Sequence, residues 1–222
     1  MVARVKVCCI ASRDEARTAI QLGASALGLV SEMPSGPGVI PEAAIREIAE
    51  MIPPGVSSFL LTSRQEVASI VEQQRRTGVN TIQLVDELPR GAHQDLRAAL
   101  PGIRIVQVIH VQDEGAVEQA VSVADFVDGL LLDSGNPNLA VKELGGTGRT
   151  HDWSLSRRIR EAVSVPVFLA GGLTPANVRE AIQRVSPFGV DVCSGVRTGG
   201  RLDPEKVKQF VHEVQGTARA ES

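Results

Sequence analysis

A chain of 222 residues with 43% hydrophobic and 22% charged side chains can bury one large core, and its ordinary globular composition argues against a disordered chain. A formal net charge of −3, with Lys and Arg spread along the chain, offers no global pull toward nucleic acid or an anionic membrane, so any anion must be held locally. Three cysteines do not make a disulfide framework, no window approaches the ~18 apolar residues of a membrane span, and no apolar leader precedes the first strand pattern, so a reduced, soluble, cytoplasmic protein is expected.

From the N-terminus onward, short β-rich apolar runs alternate with amphipathic stretches. Strands are predicted at 4–9 (RVKVCC), 25–30 (SALGLV), 57–62 (SSFLLT), 80–85 (NTIQLV), 103–109 (IRIVQVI), 127–133 (VDGLLLD), 165–170 (VPVFLA) and 188–193 (FGVDVC). Helices are predicted at 13–22, 41–51, 64–77, 90–100, 113–121, 153–163, 175–185 and 203–214. Ser12 followed by Glu15 has capping-box spacing, Pro41 and Pro175 suit a first helical turn, Thr174 suits the N-cap before it, and Gly23 and Gly78 fall where helices should stop. Strands that are apolar on nearly every residue, each followed by a helix, mean a parallel sheet covered by helices. Eight such units predict an α/β fold of the (β/α)8 TIM-barrel type, with an open doubly wound sheet as the alternative. No linker divides the chain, so a single barrel domain over 1–215 and a frayed tail over 216–222 are expected. The longest irregular segments, 31–40 and 134–152, both follow strands.

In a barrel the chemistry gathers at the C-terminal ends of the strands. Strand six ends in Asp133 behind three leucines, surroundings that would desolvate a carboxyl and raise its pKa toward use as a general acid, unless it only caps a turn. Strands seven and eight run into AGGLTPANV and CSGVRTGG, so Gly171, Gly172, Ser194 and Gly195 stand at the loops where barrels commonly hold phosphate. Alternation along the first strand puts Arg4, Lys6 and Cys8 on one face and Val5, Val7 and Cys9 on the other. If the apolar face meets the helices, Cys8 faces the lumen at the rim, where Lys6 could favour its thiolate, and Cys9 packs outward. A small buried hydrophobe, the usual fate of a free cysteine, is the competing reading for Cys8. His93, His110, His151 and His212 are scattered, and neither metal-ligand spacing nor a dinucleotide fingerprint appears, so neither metal nor nucleotide cofactor is expected.

Several segments in register resemble one family. VKVCCI, LLLDS, GGTGRTHDWS, AGGLTPANV, PFGVDVCSGV and LDPEKVKQFV are similar, in order, to the K-I/V-C-G-I, LLD, GGTG-x-x-FDW, GGL-x-P-x-NV, VDVSSGVE and KD-x-x-K-I/V-x-x-F segments of the phosphoribosylanthranilate isomerases. The resemblance covers the whole chain and is strongest from Leu130 onward. It implies a TIM barrel that performs an Amadori rearrangement in tryptophan biosynthesis without metal or organic cofactor. It implies Cys8 as general base at the sugar C2, Asp133 as general acid on the furanose ring oxygen, and a phosphate against Gly171, Gly172, Ser194 and Gly195. The implied partner is a small phosphorylated sugar, with no nucleic acid or membrane involved and a monomer or homodimer as the assembly. Departures cluster on the side expected to recognise anthranilate. Pro37 stands at the arginine of P-x-S-x-R-x-I/V and Val85 at the histidine of V-Q-L-H-G, while Cys9 replaces glycine, His151 phenylalanine and Arg197 an acidic residue. Arg149 and Arg197 are the substitute candidates for a carboxylate contact. A related isomerase acting on another phosphorylated aminosugar, or a non-catalytic binder of a phosphorylated metabolite, are the alternatives.

Overall fold

The computed structural model describes residues 2–135 and 150–217. Eight parallel strands, β1 (Arg4–Val7), β2 (Ala26–Val30), β3 (Ser57–Thr62), β4 (Thr81–Leu84), β5 (Arg104–His110), β6 (Gly129–Asp133), β7 (Val167–Leu169) and β8 (Gly189–Val192), pair in chain order. β8 returns to β1, with Val7 opposite Val192, so the sheet closes and the predicted barrel is present. The doubly wound alternative is excluded by that closure. Helices α1 (Arg13–Gln21), α2 (Glu42–Ala49), α3 (Val67–Thr77), α4 (Ala92–Ala99), α5 (Gly115–Ala124), α6 (Trp153–Ala162), α7 (Val178–Val185) and α8 (Pro204–Gly216) follow the strands in turn.

Alternation along the strands builds two apolar layers. Between sheet and helices lie Val5, Val7, Leu27, Leu29, Leu60, Ile82, Ile109, Leu130 and Leu132 with residues such as Ile45, Ile48, Ile70 and Phe210 from the helices. Inside the barrel lie Cys8, Ala26, Val30, Phe59, Leu61, Val106, Val108, Leu131, Phe168 and Ala170. The Phe59 and Phe168 rings meet edge to face with centroids 5.8 Å apart, and Gly189 admits Phe168, since a Cβ there would lie 2.7 Å from that ring.

Helix boundaries follow local hydrogen bonding. Ser12 caps α1 by accepting from the Glu15 N–H, and Asp203 caps α8 by accepting from Glu205 and Lys206, with Pro204 in the first turn. The expectation that Thr174 caps a helix entered through Pro175 is corrected. Residues 175–177 form a separate turn in which the Thr174 N–H donates to Asn177 Oδ1 at 2.8 Å, and α7 begins only at Val178. Past β8 the chain adds a short 3₁₀ turn, Ser194–Val196, and a two-residue hairpin, β9 (Arg197–Thr198) with β10 (Arg201–Leu202), turning through Gly199 and Gly200 at φ 57° and 80°. α8 runs to Gly216 and Thr217 is buried, and the rest of the expected tail, residues 218–222, lies outside the described residues. Among the described residues no helix is long and apolar enough to cross a membrane.

Candidate active site

β1 delivers Lys6 to the lumen, and Cys8, the residue just past its end, follows on the same side. Lys6 is fully buried, and its Nζ donates to Asp191 Oδ1 on β8 at 2.9 Å. Burial alone would weaken the ammonium, but the Asp191 carboxylate more than offsets it and raises the Lys6 pKa, so Lys6 remains cationic. The space for this arrangement comes from Gly28 on β2. A Cβ at that position would lie 2.7 Å from Cys8 Sγ and 3.0 Å from Lys6 Nζ. Thiol and ammonium therefore share the room that one glycine leaves, and any thiolate on Cys8 has a cation beside it.

Asp133 closes β6 and is buried. Burial raises its pKa against the pull of His110 on β5 and of the Ser134 and Gly135 N–H groups, which donate to its carboxyl. Its Oδ2 has no hydrogen-bond partner among the described residues. A carboxyl held toward its neutral form, with one oxygen uncommitted, is equipped to give a proton. His110 was not singled out by the sequence; β5–β6 register sets it beside Asp133, with its Nε2–H donating to the Val85 carbonyl at 3.0 Å.

The glycine loops meet these groups. Gly171 and Gly172 have φ of 84° and 62°, a left-handed backbone that glycine adopts without strain, and Asn177 Nδ2 fixes the loop by donating to the Gly172 carbonyl at 3.0 Å. Gly195 is required for contact between the two loops, because a Cβ there would fall 2.0 Å from the Leu173 carbonyl oxygen. One cavity at the C-terminal rim is lined by Cys8, Asp133, Gly171, Gly172 and Ser194, together with Asp191. Gly195 lies on the adjoining surface beside Ser194 and Thr174.

Two expectations are corrected here. Cys9 does not point outward, because β1 ends at Val7 and Cys9 takes φ 61°, which swings its side chain into the cavity wall. That left-handed backbone also accounts physically for a glycine at this position in the resembled pattern. Arg197 is not available to a substrate carboxylate. Its two terminal nitrogens donate to the two Glu15 oxygens at 3.1 Å each, and it also donates to the carbonyls of Gly200, at 2.9 Å, and Cys9. Glu15 further accepts from the N–H groups of Ala11 and Leu202, both at 3.0 Å, so burial's upward push on its pKa is overcome and the carboxyl sits below its usual range. Arg197 thus ties α1 to the hairpin. Arg149, the other candidate, lies outside the described residues, as does most of the 134–152 loop. Pro37 does line the cavity, beside Met33, Ser35 and Gly36.

A closed (β/α)8 barrel that brings a buried carboxyl, a thiol and two glycine turns to one cavity at its C-terminal rim has the architecture of a barrel enzyme. Residues 5–213 match the family model described as N-(5′-phosphoribosyl)anthranilate (PRA) isomerase. The chain is 37% identical over 214 residues to N-(5′-phosphoribosyl)anthranilate isomerase 2 of Methanosarcina mazei, covering 96% of this chain and 94% of that one. It is 34% identical over 215 residues to N-(5′-phosphoribosyl)anthranilate isomerase of Methanocella arvoryzae, covering 96% and 99%. The crystal structure of phosphoribosyl anthranilate isomerase from Thermotoga maritima superposes with a TM-score of 0.83 at 32% identity, covering 96% of this chain and 99% of that one. A phosphoribosyl anthranilate isomerase in complex with reduced 1-(o-carboxyphenylamino)-1-deoxyribulose 5-phosphate superposes with a TM-score of 0.80 at 30% identity, covering 96% and 99%. The chain belongs to the phosphoribosylanthranilate isomerase family and is an isomerase.

Proposed function

We propose that the chain isomerises N-(5-phosphoribosyl)anthranilate to the corresponding aminoketose in tryptophan biosynthesis, with Asp133 as general acid and Cys8 as general base. The observation that carries this reading is the single cavity lined by both groups and by Gly171, Gly172 and Ser194. Asp133 gives its proton to the furanose ring oxygen, and the ring opens to an iminium at C1. Cys8, as thiolate, takes the proton from C2, the iminium accepts the electron pair, and the enol so formed tautomerises to the ketone with a proton arriving at C1. Lys6, its charge balanced by Asp191, stands beside this thiol in the barrel lumen. The phosphate rests on the glycine loops, where no acceptor among the described residues takes the Gly171 or Gly172 N–H. Anchoring that end holds the sugar between acid and base.

Pro37 in the cavity wall favours a second reading, the same chemistry on a phosphorylated aminosugar without an aryl carboxylate. Turnover of N-(5-phosphoribosyl)anthranilate by the wild-type chain, followed as loss of substrate fluorescence, separates the two. The first reading predicts turnover. No turnover, together with isomerisation of an aminosugar phosphate lacking the carboxylate, supports the second. Pro37→Arg then reports on the loop: a fall in KM for the anthranilate substrate of roughly tenfold, about 1.4 kcal/mol, is expected from a restored charge-assisted contact, and an unchanged KM would place the carboxylate elsewhere.

A further inference from the structure

Cys9 and Cys193 are used by no step above, yet they stand together in the wall of the same cavity. Their Sγ atoms are 2.7 Å apart although the residues are 184 positions apart in the chain. The contact follows from two features. β1 and β8 are hydrogen-bonded neighbours up to Val7 and Val192, which puts Cys193 one residue beyond the ladder, and the left-handed backbone at Cys9 swings its side chain across to it. In the resembled segments K-I/V-C-G and V-D-V-S-S-G these two positions carry glycine and serine.

We propose that Cys9 and Cys193 form a peroxide-sensitive modification site, whose oxidation to a disulfide takes the catalytic cavity out of use. The Cys193 thiolate attacks one oxygen of hydrogen peroxide, giving a sulfenic acid and hydroxide, which takes up a proton to become water. The Cys9 thiol then displaces the sulfenic oxygen as a second water, so two thiols are oxidised and one peroxide is reduced to two waters. The order follows the surroundings. Cys193 is the more exposed sulfur, and its hydrogen bond with Cys9, aided by the Arg197 guanidinium, lowers its pKa, whereas the same contact, a second one with the Cys8 thiol and burial raise that of Cys9. Drawing the sulfurs from contact into a bond pulls on both immediate neighbours, Cys8 on one side and Ser194 on the other. Displacing either proposed group by ~1 Å is enough to cost about a hundredfold in rate.

The test uses the full chain, reduced and then freed of reductant, titrated with hydrogen peroxide. Intact mass should fall by two hydrogens, two of three thiols should be lost, and the link should form in Cys8→Ala but in neither Cys9→Gly nor Cys193→Ser. Isomerase turnover of the wild type should fall at least about tenfold and return with dithiothreitol. A mass that rises by oxygen without a link, or a link that persists in Cys9→Gly, overturns the site. A link that leaves turnover unchanged overturns the control it is proposed to exert. The link is read by mass alone and stands whatever substrate the cavity takes; the turnover arm rests on the proposed function.

Discussion

Lys6 is the residue on which the lumen turns. A lysine buried completely inside an apolar barrel is tolerated because Asp191 meets it at 2.9 Å, and neither charge could be left alone there. Lys6→Met should therefore cost about 3–5 kcal/mol in urea unfolding, because it strands a buried carboxylate. Lys6→Met combined with Asp191→Leu should recover most of that loss; a single variant as stable as the wild type would contradict the pairing. Lys6 was legible as a neighbour of Cys8 through alternation. Its actual partner was not, since Asp191 is 185 positions away and only barrel closure brings it near. Alternation misplaced Cys9 for a related reason: the rule holds inside a strand, and β1 ends two residues earlier.

At the scale of elements, the start of α6 shows how one substitution at a packing position acquires a pH dependence. His151 stands where the resembled motif has phenylalanine, with its ring Nε2 2.6 Å from Ser156 Oγ, and Asp152 caps the helix by accepting from the Ser154 N–H at 2.8 Å. Burial pushes the His151 pKa down from 6.5 to about 4. The folded chain then keeps His151 neutral in the window where the unfolded chain binds a proton, so its contribution to stability is complete above pH 6.5 and drains away as pH falls toward 4. His151→Phe should flatten the decline in Tm between those values, and an unchanged slope would mean that other groups set it. Element order was readable from period and length alone. Boundaries that side chains decide were not: Asn177 claims the Thr174 N–H and delays α7, and the hairpin through Gly199 and Gly200 was submerged in a glycine-rich loop. The Arg197–Glu15 clamp joins positions 182 apart, so an arginine that looked free in sequence proved committed to holding α1 and the hairpin.

For the whole molecule, closure of eight strands explains both what could be foreseen and what could not. The repeated unit is a local pattern, and eight repeats leave a barrel as the simplest solution. That closure carries Cys8 from β1 and Asp133 from β6 to one rim, beside the loops after β7 and β8, so strand ends read separately become one cavity. The apolar and thiol-rich part of the cavity wall, with Met33, Pro37, Cys9 and Cys193, is where this chain parts from the resembled pattern, and its character emerges only once the loops are assembled. The proposed assignment of the proton transfers to Cys8 and Asp133 is tested by kcat for N-(5-phosphoribosyl)anthranilate in Cys8→Ala and Asp133→Asn, each checked for folding by circular dichroism. Loss of about 10²-fold or more in both folded variants is predicted for a missing base or acid. Turnover within a few-fold of the wild type in either one would contradict the assignment.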